Sequence, residues 1–181
     1  MKRTLIITFI AALALVVAGC GGSSDESSSA SPTDEWASGF CTAITTWTDS
    51  IQSVTEQFTD PSSLSKDGLE SAANDVKSST STLVDDLKGL GTPDTPSGQA
   101  AKDSVDELAS TVESEAATIE ETVQGASGLT ALPGAISSIL ASLTAMGTAL
   151  SSTYDTIANA DAKGELQTAL EDSPDCANIS S

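Results

Sequence analysis

Apolar residues recur at steps of three and four along four separate stretches of this chain. The first stretch is apolar at positions 36, 40, 44, 47, 51, 54 and 58. The same spacing continues over about 65–90, 97–123 and 130–157. It places the apolar side chains on one face of an α-helix, and no stretch alternates apolar and polar residues as a half-buried strand does. The sequence therefore predicts an all-α fold built on four amphipathic helices.

Connections rich in Gly, Pro and Ser separate the predicted helices, at 60–63, 91–97 and 125–129. Glycine after a helix and proline beyond it are typical ends of a helix. Four amphipathic helices joined by short connections favour an antiparallel up-down-up-down four-helix bundle.

Cys41 and Cys176 lie near the two ends of the folded region. Outside the cytoplasm such a pair most simply forms one disulfide, with two free thiols as the alternative. The bundle topology favours the disulfide, because it brings the first helix's start and the last helix's end together. A single unbroken fourth helix would run far past Cys41, so we expect a break between Ala158 and Gly164. A short extra C-terminal helix near 165–171 would then return Cys176 towards Cys41.

The amino terminus combines a basic start, Lys2 and Arg3, with an apolar run over 5–18. A basic end followed by a short apolar run is typical of a secretory signal. The run is shorter than the ~20 apolar residues of a membrane span. An ordinary secretion signal followed by an unrelated cysteine is the alternative, but the chain lacks a convincing A-x-A cleavage site.

Val17-Ala18-Gly19-Cys20 resembles the lipobox of bacterial lipoproteins, in which one aliphatic and two small residues precede a lipidated cysteine. The resemblance covers only the signal region. It implies cleavage before Cys20, a diacylglyceryl anchor on Cys20 and a location on the extracytoplasmic face of the cell membrane. The Ala-, Ser- and Thr-rich composition is also similar to that of actinobacterial lipoproteins. The predicted parts are a signal peptide (1–19), Cys20 with a flexible Ser/Gly-rich tether (20–33) and a helical domain (34–181).

Acidic residues dominate the charge of the chain, with 26 Asp and Glu against 7 Lys and Arg and a net charge of −19. Loss of the signal would remove Lys2 and Arg3, leaving five lysines, all 26 acidic residues and a charge of −21. Nucleic acid is excluded as a partner, because phosphate contacts need clustered Lys and Arg. Strong binding to anionic lipid is disfavoured for the same reason, so the expected membrane contact is the lipid anchor.

The chain contains no histidine, which removes the commonest general base and a common metal ligand. It also lacks a G-x-S-x-G motif and a Gly-rich phosphate loop. We expect no catalytic residue, no metal and no cofactor, although an enzyme that uses two carboxylates, as glycosidases do, stays open. Acidic pairs such as Asp85-Asp86 lack the spacing of a calcium loop, and we interpret them as solvated surface.

Two features supply candidate binding residues. Trp36, Phe40 and Trp47 place much of the chain's aromatic content in the first helix. We interpret them as core, with one exposed, partner-anchoring indole as the alternative. Residues 122–154 carry no charge at all. They are either a buried helix with a Ser/Thr outer side, or a surface for a protein partner or lipid-like ligand. The candidate residues there are Leu132, Ile136, Ile139, Leu140, Leu143, Met146 and Leu150.

The preferred hypothesis is a non-enzymatic, membrane-tethered module that binds a cell-envelope partner through the uncharged fourth helix and its neighbours. One alternative is a carrier of an apolar small molecule or lipid, which a cavity lined by Leu143, Met146 and Val112 would favour. A contiguous exposed patch over 129–150 would favour the partner module. The second alternative is a structural spacer kept hydrated by its charge, which a solid core without a patch would favour.

Overall fold

The computed structural model describes residues 30–58, 65–128, 130–160, 164–177 and 179. Within these residues the chain forms five α-helices and a short 3₁₀ helix, and no strand. The helices are α1 (Pro32–Gln57), α2 (Lys66–Gly89), α3 (Gly98–Gly125), α4 (Leu132–Ala160) and α5 (Glu165–Asp172), with the 3₁₀ helix at Pro174–Cys176. The all-α prediction is confirmed. The predicted signal peptide (1–19), Cys20 and the tether up to residue 29 lie outside the described residues.

The start of α1 is fixed by a capping box. Ser31 Oγ accepts a hydrogen bond from the Asp34 N–H at 3.1 Å, and the Ser31 N–H donates to Asp34 Oδ2 at 2.9 Å. Pro32 occupies the first turn, where its missing N–H costs nothing. With Ser31 as the cap, the helix begins two residues before the predicted domain start at 34.

The predicted apolar faces form one continuous core. All the positions predicted to face inward on α3 are buried, from Ala101 to Val123. On α4 the adjacent Ile139 and Leu140 both fit the apolar spacing, and Ile139 is the buried one. The core also contains small buried residues beside the predicted apolar positions. These are Ala37, Ala43, Ala72, Ala109 and Ala135.

Consecutive long helices pack against each other: α1 on α2, α2 on α3, and α3 on α4. The pairing of α1 with α4 is different, because these two helices touch only slightly. Instead, α5 packs against both of them, and the 3₁₀ helix packs against α1. Leu166, Ala169 and Leu170 are the buried residues of α5. A short helix therefore occupies part of the seam between α1 and α4.

A disulfide joins Cys41 to Cys176, with their Cα atoms 5.0 Å apart and a sequence separation of 135. The predicted pairing is confirmed, as is the break after Ala158, since α4 ends at Ala160 and α5 begins at Glu165. Near the disulfide, Ser38 Oγ donates to Asp175 Oδ2 at 2.6 Å. The link fastens the end of the described chain to the first half of α1.

Candidate functional site

A groove of about 520 Å³ lies in the part of the α1–α4 seam that α5 does not fill. Its apolar lining comes from both helices and from Ile179, just beyond the 3₁₀ helix. It also has polar residues that are open to solvent, among them Thr48, Gln52 and Ser151. The apolar members are Ile44, Trp47, Ile51, Leu143, Leu150 and Ile179.

The groove exists because of how the seam is closed. The 3₁₀ helix lies against α1 near the disulfide, where Thr45 Oγ1 donates to the Asp175 carbonyl at 3.4 Å. The lining of the groove on α1 starts at Ile44 and runs to Gln52. The groove therefore opens where the C-terminal segment stops covering α1.

Trp47 connects the groove to the core. Its indole N–H donates to Thr80 Oγ1 on α2, with 3.2 Å between the two atoms, and both residues are buried. A buried N–H needs such an acceptor, since an unsatisfied donor costs about 1–3 kcal/mol. The hydrogen bond fixes the orientation of the ring that lines the groove.

Among the described residues, Asp49 is the only charged one that lines the groove, and its side chain is exposed. Its carboxylate has no hydrogen-bond or ion-pair partner within the described part of the chain, although its backbone carbonyl accepts from Ser53 Oγ at 3.1 Å. The carboxylate is therefore available to a cation brought by a ligand or partner.

Gly147 lies in the α4 wall of the groove, in the interior of the helix. Glycine there costs roughly 0.5–1 kcal/mol relative to alanine. A Cβ built at Gly147 would meet no atom within 4 Å, so close packing inside the fold does not require glycine. Gly39, inside α1, differs, because its Cβ would lie 2.7 Å from Leu90 Cδ2. At Gly147 the wall of the groove therefore carries no side chain.

Neither indole predicted as a possible partner anchor is exposed. Trp36 stacks on Phe40, with ring centroids 5.4 Å apart and the planes inclined by 6°. Its N–H donates to the Gly91 carbonyl at 3.2 Å. Gly91 has φ 69°, a conformation that suits glycine at this turn. Trp36 therefore belongs to the core beneath the α2–α3 connection, whereas Trp47 reaches the groove.

The candidate residues of α4 divide between three environments. Leu132, Ile139 and Met146 are buried in the core away from the groove, and Leu143 and Leu150 are buried where they border it. Ile136 is half-buried, and Leu140 is 38% exposed. Leu140 is the one large apolar side chain exposed among the described residues, so these do not form the contiguous exposed patch considered for 129–150.

The cavity considered for an apolar cargo also has a different lining. Met146 and Val112 are fully buried in the core, and of the three residues named for that cavity only Leu143 lines the groove. By length and composition alone, α4 could cross a membrane, but a core helix of a water-soluble bundle passes the same test. Its large apolar side chains mostly face the core.

Charge is divided unevenly between the two sides of the molecule. Each lysine in the described residues lies on α2 or α3 and pairs with a carboxylate, while Lys163 falls outside those residues. The described parts of α1, α4, α5 and the 3₁₀ helix contain acidic residues and no Lys or Arg. Among the described residues, the side that carries the groove is therefore acidic and has no Lys or Arg. The described residues contain no group of three or more acidic or Cys side chains placed to hold a metal ion.

Sequence reasoning identified Trp47, Leu143 and Leu150, but it missed the α1 wall around Thr48 and Asp49, and it missed Gly147. The signal that could have found Gly147 is a glycine in the middle of a strong helical pattern. In comparisons with known proteins, no family profile, no curated protein and no solved structure matches this chain.

Proposed function

We propose that this chain is a lipid-anchored protein of the extracytoplasmic membrane face, whose helical domain is a non-enzymatic module that binds a cell-envelope partner. The observation that carries the proposal is the groove between α1 and α4. Its volume lies within the roughly 300–1,000 Å³ typical of binding sites, and it combines aliphatic walls with a few polar groups.

The membrane location follows from the amino terminus. The basic start, the apolar run and the lipobox-like 17–20 segment support cleavage before Cys20 and lipidation of Cys20. The disulfide is consistent with an oxidising compartment outside the cytoplasm. The tether that follows Cys20 would hold the groove away from the lipid surface.

The proposal includes an antiparallel up-down-up-down order of the four long helices. Two hydrogen bonds support it, because each joins the start of one helix to the end of another. Trp36 Nε1, near the start of α1, donates to the Gly91 carbonyl just after α2. Ser97 Oγ, just before α3, donates to the Ala160 carbonyl at the end of α4 at 3.3 Å.

A carrier of a small apolar molecule is the weaker alternative. The groove is lined by exposed Thr48, Asp49 and Ser151, so an apolar cargo would stay in contact with water. A protein segment suits such a site better, because it can place apolar side chains inward and polar ones outward. The second alternative, a structural spacer, needs no groove and so does not account for the one lined by Gly147.

The test is site-specific photo-crosslinking in living host cells. A photoreactive phenylalanine replaces Thr48 in the groove or, as a control, Thr82 on the exposed side of α2. We expect a discrete protein adduct from position 48 and not from position 82. Each variant is then combined with Gly147→Leu, which fills the groove, or with Gly134→Leu, which adds the same side chain in open space outside it.

The adduct at position 48 should disappear with Gly147→Leu and persist with Gly134→Leu. An adduct of lipid-sized mass would replace the partner module with the carrier. Equal adducts from positions 48 and 82, or no adduct from either, would favour the spacer. Mass spectrometry of the mature N-terminal peptide tests the anchor separately, since an unmodified Cys20 would contradict lipidation.

A further inference from the structure

The C-terminal segment (164–177) packs on one side of the bundle. Among the described residues, α5 has its main contacts with α1 and α4, and the 3₁₀ helix contacts α1 and α5. The packing of α1 on α2, of α2 on α3 and of α3 on α4 is direct and does not involve this segment. The contacts between consecutive long helices can therefore remain in place when the segment leaves.

α5 has few of the features that stabilise a helix by itself. It contains eight residues, fewer than the roughly 12–15 that an isolated helix needs in water. Its N-cap, Gly164, makes no side-chain capping hydrogen bond, and its last turn contains Glu171 and Asp172, which oppose the helix dipole. Its buried side chains are Leu166, Ala169 and Leu170. The helix therefore depends on being held against α1 and α4.

A disulfide and two side-chain hydrogen bonds link the 3₁₀ helix to α1. The disulfide joins Cys176 to Cys41. Ser38 Oγ donates to Asp175 Oδ2 at 2.6 Å, and Thr45 Oγ1 donates to the Asp175 carbonyl at 3.4 Å. Both hydrogen bonds are exposed, so water competes with them. The disulfide is therefore the link on which the position of the segment mainly depends.

Like charges work against the C-terminal segment. Its two helices contain Glu165, Glu171, Asp172 and Asp175, and the described parts of α1 and α4 also carry acidic residues. None of these described elements contains Lys or Arg, so no ion pair between them offsets the repulsion. Ion pairs do join α2 to α3. Because salt screens such repulsion, low salt should favour release of the segment.

Release of the segment would also change the groove. Ile179, which lines the groove, lies three residues after Cys176, and its N–H donates to the Cys176 carbonyl at 3.0 Å. α1 and α4 touch only slightly, so α5 is the element that fills their seam. Without α5, the facing sides of these two helices would be open to solvent.

We propose that the Cys41–Cys176 disulfide is a redox-sensitive switch, whose reduction frees the C-terminal segment and opens the α1–α4 seam while the other helix pairings persist. The reductant is a protein dithiol. One of its thiolates attacks Cys176 Sγ, forms a mixed disulfide and expels the Cys41 thiolate. Its second thiol then attacks the mixed disulfide and releases Cys176. Two electrons and two protons pass to the chain, and the reductant leaves as a disulfide.

Local opening of the 3₁₀ helix gives the reductant access to the sulfur atoms. Cys41 is 0% and Cys176 2% exposed, so a thiolate cannot reach them while this helix is in place. The 3₁₀ helix has three residues, and Cys176 is its buried one. Elements with so few buried contacts open at a much lower free energy than the core helices. Reduction therefore requires no unfolding of α2 and α3.

The experiment uses the whole chain, purified from its host without reductant and kept free of denaturant. Dithiothreitol, a small dithiol, is added, and free thiols are blocked at intervals. Mass spectrometry of the peptides that contain Cys41 and Cys176 gives the reduced fraction. Hydrogen exchange in the same samples compares α5 and the 3₁₀ helix with α2 and α3.

We expect reduction at least about tenfold faster than global unfolding, which the most protected amides of α2 and α3 report. After reduction, α5 should exchange within about tenfold of an unstructured peptide, whereas the α2 and α3 amides stay at least about a hundredfold slower. Reduction should be faster at low salt than at high salt. Reoxidation by oxidised glutathione should restore the protection of α5.

A matched pair of serine variants tests the contact between the 3₁₀ helix and α1. Ser38→Ala should speed reduction about two- to tenfold, because it removes the hydrogen bond to Asp175. Ser53→Ala should leave the rate unchanged, since Ser53 Oγ donates within α1 to the Asp49 carbonyl. Equal rates for the two variants would contradict the role given to local opening of the 3₁₀ helix.

Three results would overturn the proposal. The first is a disulfide that is reduced only after denaturant unfolds the chain. The second is an α5 that stays protected after reduction. The third is an equal loss of protection in α5, α2 and α3, which would show that the segment does not open separately. Photo-crosslinking from position 48 in the oxidised chain tests the proposed function independently of all three.

Discussion

The α2–α3 seam and the α1–α4 seam are made from similar amphipathic helices, but they are closed in different ways. α2 and α3 pack directly on each other, and Lys77–Glu120 at 2.9 Å and Lys88–Glu113 at 3.5 Å bridge them at the surface. α1 and α4 touch slightly, and a short helix fastened by a disulfide covers one part of their seam. Direct helix packing closes the α2–α3 seam. In the α1–α4 seam, α5 and a disulfide-linked segment fill one part, and the groove lies beside them.

The largest expected effect comes from removing that link. Cys41→Ala combined with Cys176→Ala should lower the free energy of unfolding by up to about 5 kcal/mol, because the disulfide closes a very long loop in the unfolded chain. Urea denaturation measures the change. In hydrogen exchange, α5 should lose protection before α2 and α3 do, since the disulfide helps to hold α5 against α1 and α4. Unchanged protection of α5 would mean that packing alone holds the cover.

The two faces of α4 give the next comparison. Met146 is fully buried and Leu140 is 38% exposed. Met146→Ala should destabilise the fold by about 2–5 kcal/mol, because it leaves a cavity in the core. Leu140→Ala should change stability by no more than about 0.5 kcal/mol. Chemical denaturation of both variants tests this, and similar losses would show that Leu140 is packed.

Sequence periodicity predicted this inward and outward division because a helix repeats every 3.6 residues wherever it is placed. It did so least well at Ile139 and Leu140, which are adjacent and both fit the pattern of threes and fours. It also predicted the disulfide, since chain order and helix lengths constrain where Cys41 and Cys176 can meet. These properties depend on spacing along the chain, so a single sequence contains them.

The groove could not be predicted in this way. Its existence depends on how far apart α1 and α4 lie and on where α5 settles between them, and neither is fixed by the pattern of any one helix. Leu143 and Leu150 were candidates for surface or core, and the pattern could not show that they border a groove. Asp49 could not be distinguished from other exposed acidic residues, because its place in the groove depends on the position of α4.

Trp47 lines the α1–α4 groove and is hydrogen-bonded to Thr80 on α2. Removing this hydrogen bond should change stability by less than removing the disulfide or truncating Met146 does. Thr80→Val keeps the side chain's shape but removes the acceptor of the Trp47 N–H. Leaving that buried donor unsatisfied should cost about 1–3 kcal/mol. Thr82→Val on the exposed face of α2 is the matched control, and equal thermal shifts for the two variants would refute a role for the hydrogen bond.

The smallest effect should have the opposite sign. Gly147→Ala should stabilise the fold by about 0.5–1 kcal/mol, because alanine favours the helix and its Cβ meets no atom within 4 Å. That corresponds to a rise in Tm of about 1–4 °C for a chain of this size. Gly39→Ala should gain less, since its Cβ would displace Leu90, whose Cδ2 lies 2.7 Å away. If both substitutions stabilise equally, the Leu90 side chain can move away at no cost, and the two glycines do not differ in how tightly they are packed. If only Gly147→Ala stabilises, the glycine in the open seam lowers the stability of the fold, whereas Gly39 is required by the close contact with Leu90.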